Sequence, residues 1–186
     1  MKSAPATEHD QATEHAIRTY GPELVSWLVA VLRSEADAHD AFSWLSVELW
    51  KSMPRYDGRC SMRTWCYMLA RQGAARVRGR KSKKHELLVS SIPSVAQAAT
   101  QVWSTSTQQR AQRARDSFTE LRDQLDDEDQ TLLVLRVDRG LPWRDIAHVM
   151  LGESATEATL TTKAASLRKQ FERVKQQLRA ATTRKP

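Results

Sequence analysis

Residues 54–84, PRYDGRCSMRTWCYMLARQGAARVRGRKSKK, decide how the chain is read. The stretch opens on turn formers, Pro54, Asp57 and Gly58, and continues from Ser61 as a helical pattern whose cations grow denser toward its end. Between Arg71 and Lys84 stand seven cations (Arg71, Arg76, Arg78, Arg80, Lys81, Lys83, Lys84) and no acid. That is more charge of one sign than a solvated helix face needs, and such a surface suits a polyanion. Trp65 and Tyr67 lie beside Arg63 and Arg71, so cations for phosphates neighbour rings on which an unstacked base could sit. The competing reading makes Trp65, Met68 and Leu69 a buried stripe and the Arg/Lys run a solvated face.

The rest of the chain sets bounds on this stretch. Its 186 residues allow one ordinary domain or two small ones, and 40% hydrophobic with 27% charged residues is the composition of a globular chain. A net charge of +7 favours an acidic partner. The longest apolar run, Trp27 to Leu32, is six residues, too short to span a bilayer. Glu8, Asp10 and Glu14 occupy the place a signal peptide needs apolar, so a cytoplasmic location is expected, without a membrane partner. The two cysteines, Cys60 and Cys66, form no zinc pattern, and neither a metal nor another cofactor is expected.

Upstream, residues 1–16 read as a polar, frayed lead-in. Pro22 suits the first turn of a helix carrying Leu24, Trp27, Leu28, Val31 and Leu32. A second helix is predicted from Ala36 or Asp37, with Phe42, Leu45 and Leu49 on its apolar side and Pro54 as its stop. With the basic helix, these make one three-helix domain over residues 17–85. Residues 86–111 read as a flexible linker with at most one weak helical turn, around Val95 to Trp103, because Leu87 to Gln109 holds 23 uncharged residues of which twelve are Ser, Thr or Gln.

Downstream, residues 112–180 open on an acidic patch around a short helix (Phe118, Leu121, Leu125). Asp126 or Asp127 is a predicted N-cap for a helix that Gly140 terminates. Pro142 opens the next helix and Gly152 stops it, while Ser154 and Glu157 form a capping box for a long final helix. That helix carries Leu160, Ala164, Leu167, Phe171, Val174 and Leu178 on one stripe, with Thr159, Thr162, Lys163, Ser166 and Lys169 opposite, and residues 181–186 form a tail. A short helix, a Gly turn and a second helix with a polar, cationic outer face make a helix-turn-helix; an ordinary helical hairpin is the plainer alternative. The expected fold is therefore all-α, two small helical domains joined by a linker.

Two stretches resemble the extracytoplasmic-function sigma factors of the bacterial sigma-70 family. ADAHDAFSWLSVELW (36–50) with PRYDGRCSMRTWCYMLAR (54–71) resembles region two, and LDDEDQTLLVLRVDRGLPWRDIAHVMLG (125–152) resembles region four. The resemblance implies a promoter-specificity subunit whose partners are core RNA polymerase, through the largest-subunit clamp and the flap, and promoter DNA; an anti-sigma factor is a common further partner in that family. It implies clamp docking through Asp37, Asp40, Trp44 and Glu48. Tyr56, Asp57, Arg59, Cys60 and Ser61 would form a pocket for a flipped base of the minus-ten element, with Trp65 near the point of duplex opening and Arg63, Arg71 and Arg76 on phosphates. Thr159, Thr162, Lys163 and Ser166 would face the minus-thirty-five element, with Arg168 and Lys169 on its phosphates. The chain departs from the family in carrying Ser43 and Trp44 where a Gln and an acid are usual, and in lacking the usual Gly-Thr-Val start of the recognition helix.

Two other classes compete. A helix-turn-helix regulator acting without polymerase would leave the turn around Tyr56 and the basic helix without a task. An enzyme could use the His9-Asp10 or His39-Asp40 pairs, but the further His and Asp that a metal phosphohydrolase needs are missing, and no catalytic residue is assigned.

Overall fold

The computed structural model describes residues 8–79, 92–113 and 125–183, and every regular element among them is helical. The cations at 80–84 and the acidic residues Asp116, Glu120 and Asp123 lie outside the described residues. The chain divides into two compact units, residues 1–111 and 112–186.

In the first unit α1 spans Glu8–Leu32, α2 Glu35–Ser52 and α3 Met62–Gly79, with a 3-10 turn, Met53–Arg55, holding Pro54. Their apolar stripes meet in a core of Ile17, Leu24, Leu28, Phe42, Leu45, Leu49, Met68 and Leu69, each at most 2% exposed. Trp27 and Tyr67 complete it edge to face, centroids 6.1 Å apart. Ser34 caps α2 by accepting the Asp37 amide at 3.2 Å, two residues ahead of the predicted start.

Two expectations are corrected here. Over residues 8–16 the lead-in is helix: Thr13 and Ala16 are buried, and Asp10 Oδ1 accepts the Trp50 indole N–H at 2.6 Å. Held at both ends, α1 runs through Pro22 instead of starting there. The uncharged stretch contains a helix, α4, Pro93–Arg113. Its buried positions, Val95, Ala98, Ala99, Val102 and Ser106, recur at helical spacing, and their small size hid the stripe. Val102 sits so close to α1 that a Cβ on Gly21 would come within 2.7 Å of its Cγ1. Trp103 meets the His39 ring of α2 edge-on at 4.8 Å.

In the second unit α5, Asp127–Leu133, begins at Asp126, whose side chain accepts the Asp129 amide at 2.8 Å. It continues as a π-helical turn, Val134–Asp138, and ends as predicted at Gly140 (φ 66°), after which the Leu141 amide reaches back to the Leu135 carbonyl at 2.9 Å. α6, Trp143–Leu151, stops at Gly152 (φ 84°), and α7 runs Glu157–Thr183. Leu160, Ala164, Leu167 and Val174 face inward along the predicted stripe, with Phe171 and Leu178 packed at its edge. The cap of α7 is shifted by two residues from the expected Ser154/Glu157 box. Thr156 Oγ1 accepts the Thr159 amide at 3.3 Å, Thr159 Oγ1 accepts the Thr156 amide at 2.9 Å, and Glu157 instead pairs with Arg144.

Candidate nucleic-acid interface

The turn between α2 and α3 is tied at every step. Tyr56 Oη donates to the Cys60 carbonyl at 2.6 Å. The Asp57 carboxylate accepts the Arg59 amide at 3.1 Å and Arg59 Nε at 2.7 Å, with Gly58 (φ 74°) supplying the reversal. Ser61 Oγ accepts the Thr64 amide at 3.1 Å and shares a 2.8 Å hydrogen bond with the Thr64 hydroxyl, capping α3. The Arg59 amide, above all, holds the Asp57 carboxyl below its usual pKa, and burial raises that of the Tyr56 phenol. Tyr56, Asp57, Arg59, Cys60 and Ser61, the residues of the implied base pocket, are chain neighbours and occupy this one short turn.

The rings behind this turn belong to the core. Trp65 is 6% exposed, donates its indole N–H to Ser52 Oγ at 3.3 Å and meets the Tyr56 ring at 5.6 Å; Tyr67 is fully buried. Stacking of an unstacked base on Trp65 or Tyr67 is therefore not available in this conformation; the buried-stripe alternative describes Trp65, and Tyr67 is buried with it. Seven consecutive residues of α3, Thr64 to Ala70, are buried, so both rings are covered whichever side of the helix they occupy.

The arginines divide by role. Arg63 forks onto Glu23 of α1, Nε to Oε1 and Nη2 to Oε2, both at 2.8 Å, and this hydrogen bonding is the chief cause of its raised pKa. Arg78 donates to the Val31 carbonyl at 2.8 Å near the end of α1. Arg71 is half-buried, whereas Arg76 is exposed with its guanidinium 5.9 Å from the Trp44 ring centroid. Trp44 is half-buried where α2 crosses α3, over Gly73. Asp37 and Asp40 are exposed and Glu48 half-exposed, on the same side of α2 as Trp44 by their spacing of three and four residues.

In the second unit the outer face of α7 and the end of α6 enclose an open depression lined by Leu151, Ala158, Thr159, Thr162, Lys163 and Ser166. Four of these six were expected from the sequence; exposed Leu151 was not, because its position reads as core on α6. The polar groups on this face are partly engaged. Thr159 serves the cap, Thr162 Oγ1 donates to the Ala158 carbonyl at 3.0 Å, and Lys163 Nζ pairs with Glu128 of α5 at 3.0 Å. Gln170 Nε2 donates to Asp129 Oδ1 at 2.7 Å. Ser166, Arg168 and Lys169 are exposed, with the Arg168 guanidinium 6.0 Å from the Trp143 ring centroid. Glu23, Glu128 and Asp129 escaped sequence reasoning, since partners forty, thirty-five and forty-one residues away leave no local pattern.

Among the described residues no three of His, Cys, Asp and Glu converge as a metal site, and no helix is long and apolar enough to cross a membrane. Of the two His-Asp pairs, Asp10 holds Trp50 and His39 meets Trp103.

Residues 16–84 match the family model of sigma-70 region 2, a span that takes in most of α1 and all of α2 and α3. The match likens this part of the chain, 69 of its 186 residues, to sigma-70 region 2. No curated protein and no solved structure matches the chain.

Proposed function

We propose that the chain is a sigma factor of the extracytoplasmic-function type, directing core RNA polymerase to promoters, opening the duplex and starting transcription. The region-two match over residues 16–84 carries this reading, because it coincides with the helices that bear the α2 acidic face and the tied turn. On this reading Asp37, Asp40, Trp44 and Glu48 dock on the clamp, Trp44 serving as the aromatic anchor of that contact. The turn from Tyr56 to Ser61 takes a flipped base of the minus-ten element, and Arg71 and Arg76 hold the displaced strand. Trp65 acts from beneath the turn, through Tyr56, rather than as a stacking face. Arg63 is left to brace α3 on α1.

The second unit supplies the minus-thirty-five contact on the same reading. α6, the Gly152 turn and α7 give a helix-turn-helix layout, with Thr162 and Ser166 toward base edges and Lys163, Arg168 and Lys169 toward phosphates. The test is reconstitution with bacterial core polymerase and a genomic fragment library, sequencing the transcripts that begin. Initiation at a discrete set of promoters is expected. Duplex binding without any initiated transcript would instead favour a regulator that works without polymerase.

A further inference from the structure

We infer that Glu128 is a specificity-determining residue: by holding Lys163 it keeps one cation of the α7 face from random-sequence DNA, so that duplex is gripped firmly only where base contacts add to the phosphate contacts. The inference rests on the reading of α7 as the helix that meets duplex.

Lys163 lies in the depression between Thr159, Thr162 and Ser166, at the centre of that face. Its ammonium is 3.0 Å from Glu128 Oε1, with side chains 27% and 46% exposed, so the pair stays open to solvent and can be broken. The next acid, Asp129, holds Gln170 two turns further along α7 at 2.7 Å. Both acids stand in the first turn of α5, where Asp126 fixes the backbone and the helix dipole favours carboxylates. The cap thus fixes the backbone that presents both carboxylates to α7.

A lysine that stays paired with a carboxylate neutralises no phosphate and so displaces no condensed counterion from DNA, and non-specific affinity is chiefly counterion release. Random duplex must compete with Glu128 for the ammonium. A matched site, adding hydrogen bonds from Thr162 and Ser166, can draw Lys163 across.

The experiment measures fluorescence anisotropy of the full-length chain on random-sequence duplex across a KCl series, for wild type, Glu128→Gln, Lys163→Met and the double variant. Glu128→Gln should steepen the log–log salt slope by about 0.9 and tighten binding about threefold more at 50 mM than at 200 mM salt. The double variant should match Lys163→Met. On promoter fragments recovered by transcription, Glu128→Gln should narrow the ratio of specific to random affinity. An unchanged slope in Glu128→Gln overturns the inference, as does a gain that survives in the double variant, which would reduce it to general charge removal. A wild-type chain that binds no duplex at any salt overturns the reading of α7 itself, a separate result. Thermal unfolding by circular dichroism confirms that each variant is folded under assay conditions.

Discussion

The Glu23–Arg63 fork separates two roles open to Arg63, a brace between α3 and α1 or the phosphate contact the sigma resemblance implies, and a mutant cycle decides between them. Glu23 is 17% and Arg63 32% exposed, with two parallel contacts of 2.8 Å. Arg63→Ala withdraws the guanidinium from a carboxylate that is mostly out of water, a cost of about 2 kcal/mol once solvent screening of the pair is allowed for. Glu23→Ala leaves a guanidinium that can turn to water, about 1 kcal/mol. The double variant should cost about 1 kcal/mol less than the sum, as for groups in direct contact. At roughly 4–8 °C per kcal/mol for a small domain, Arg63→Ala lowers the first unit's Tm by about 8–16 °C and Glu23→Ala by about 4–8 °C.

Calorimetry of the full chain reads the stability arm, and single-stranded DNA binding across a salt series, well below the lowered Tm, reads the other. A bracing Arg63 leaves the salt slope unchanged on removal, whereas Arg76→Ala, which on the sigma reading takes away a phosphate contact, should flatten it by about 0.7. If Arg63→Ala flattens the slope while sparing the Tm, the fork does not hold in solution and Arg63 belongs to DNA. Because the pair raises the Arg63 pKa, the arginine's side of this stabilisation is fully present below its usual pKa and is lost only as pH rises through the raised value, far above any working pH.

Three further tests follow from the packing. A methyl on Gly73 would stand 3.0 Å from the Ala41 carbonyl oxygen and 3.1 Å from Trp44 Cε3. The overpacking cost of about 1–3 kcal/mol exceeds the helix-propensity gain of about 1, so denaturant titration of Gly73→Ala should show a net loss near 1 kcal/mol. Gly79→Ala, with open space around it, should show none. Burial pushes the Cys66 thiol up to about 12 from 9.0, so the unfolded chain deprotonates first and stability falls as pH rises from 9 toward 12; Cys66→Ala should flatten that alkaline decline, and at neutral pH a thiol reagent should label Cys60 but not Cys66. Gly21→Ala should loosen α4, since the new methyl collides with Val102 at 2.7 Å, with faster amide exchange across α4 and recovery on adding Val102→Ala.

What the sequence made legible was local. Pro54, Asp126, Gly140 and Gly152 punctuate the helices where turn chemistry places them, and the stripe from Leu160 to Val174 is buried as its steps of three and four require. The polar side of α7 was legible for the same reason, since once the buried stripe is fixed the opposite face is fixed too. α4 was legible only as a weak turn around Val95 to Trp103, not as the helix Pro93–Arg113, because Val95, Ala98, Ala99 and Val102 carry little hydrophobic weight among Ser, Thr and Gln, although their spacing is helical. The α7 cap slipped because Thr156 and Thr159 offer a second frame two residues from Ser154 and Glu157, and nothing local separates the two. Trp65 and Tyr67 misled for a different reason: aromatic residues beside cations suit either a core or a stacking platform, and only the packing of α1 and α2 over α3 decides.

Burial of those rings changes what strand capture can rest on. With Trp65 and Tyr67 inside, the groups that the α2–α3 turn offers to a displaced base are polar: the exposed Asp57–Arg59 pair, the backbone around Gly58 and the edge of Tyr56. Three internal ties, Tyr56 to Cys60, Asp57 to Arg59 and Ser61 to Thr64, already fix their positions. On the sigma reading, little ordering remains to be done when a base arrives, and hydrogen bonds to a fixed frame discriminate between bases more sharply than a ring face does. The turn would then contribute selectivity, while the exposed cation Arg76 contributes affinity that weakens with salt.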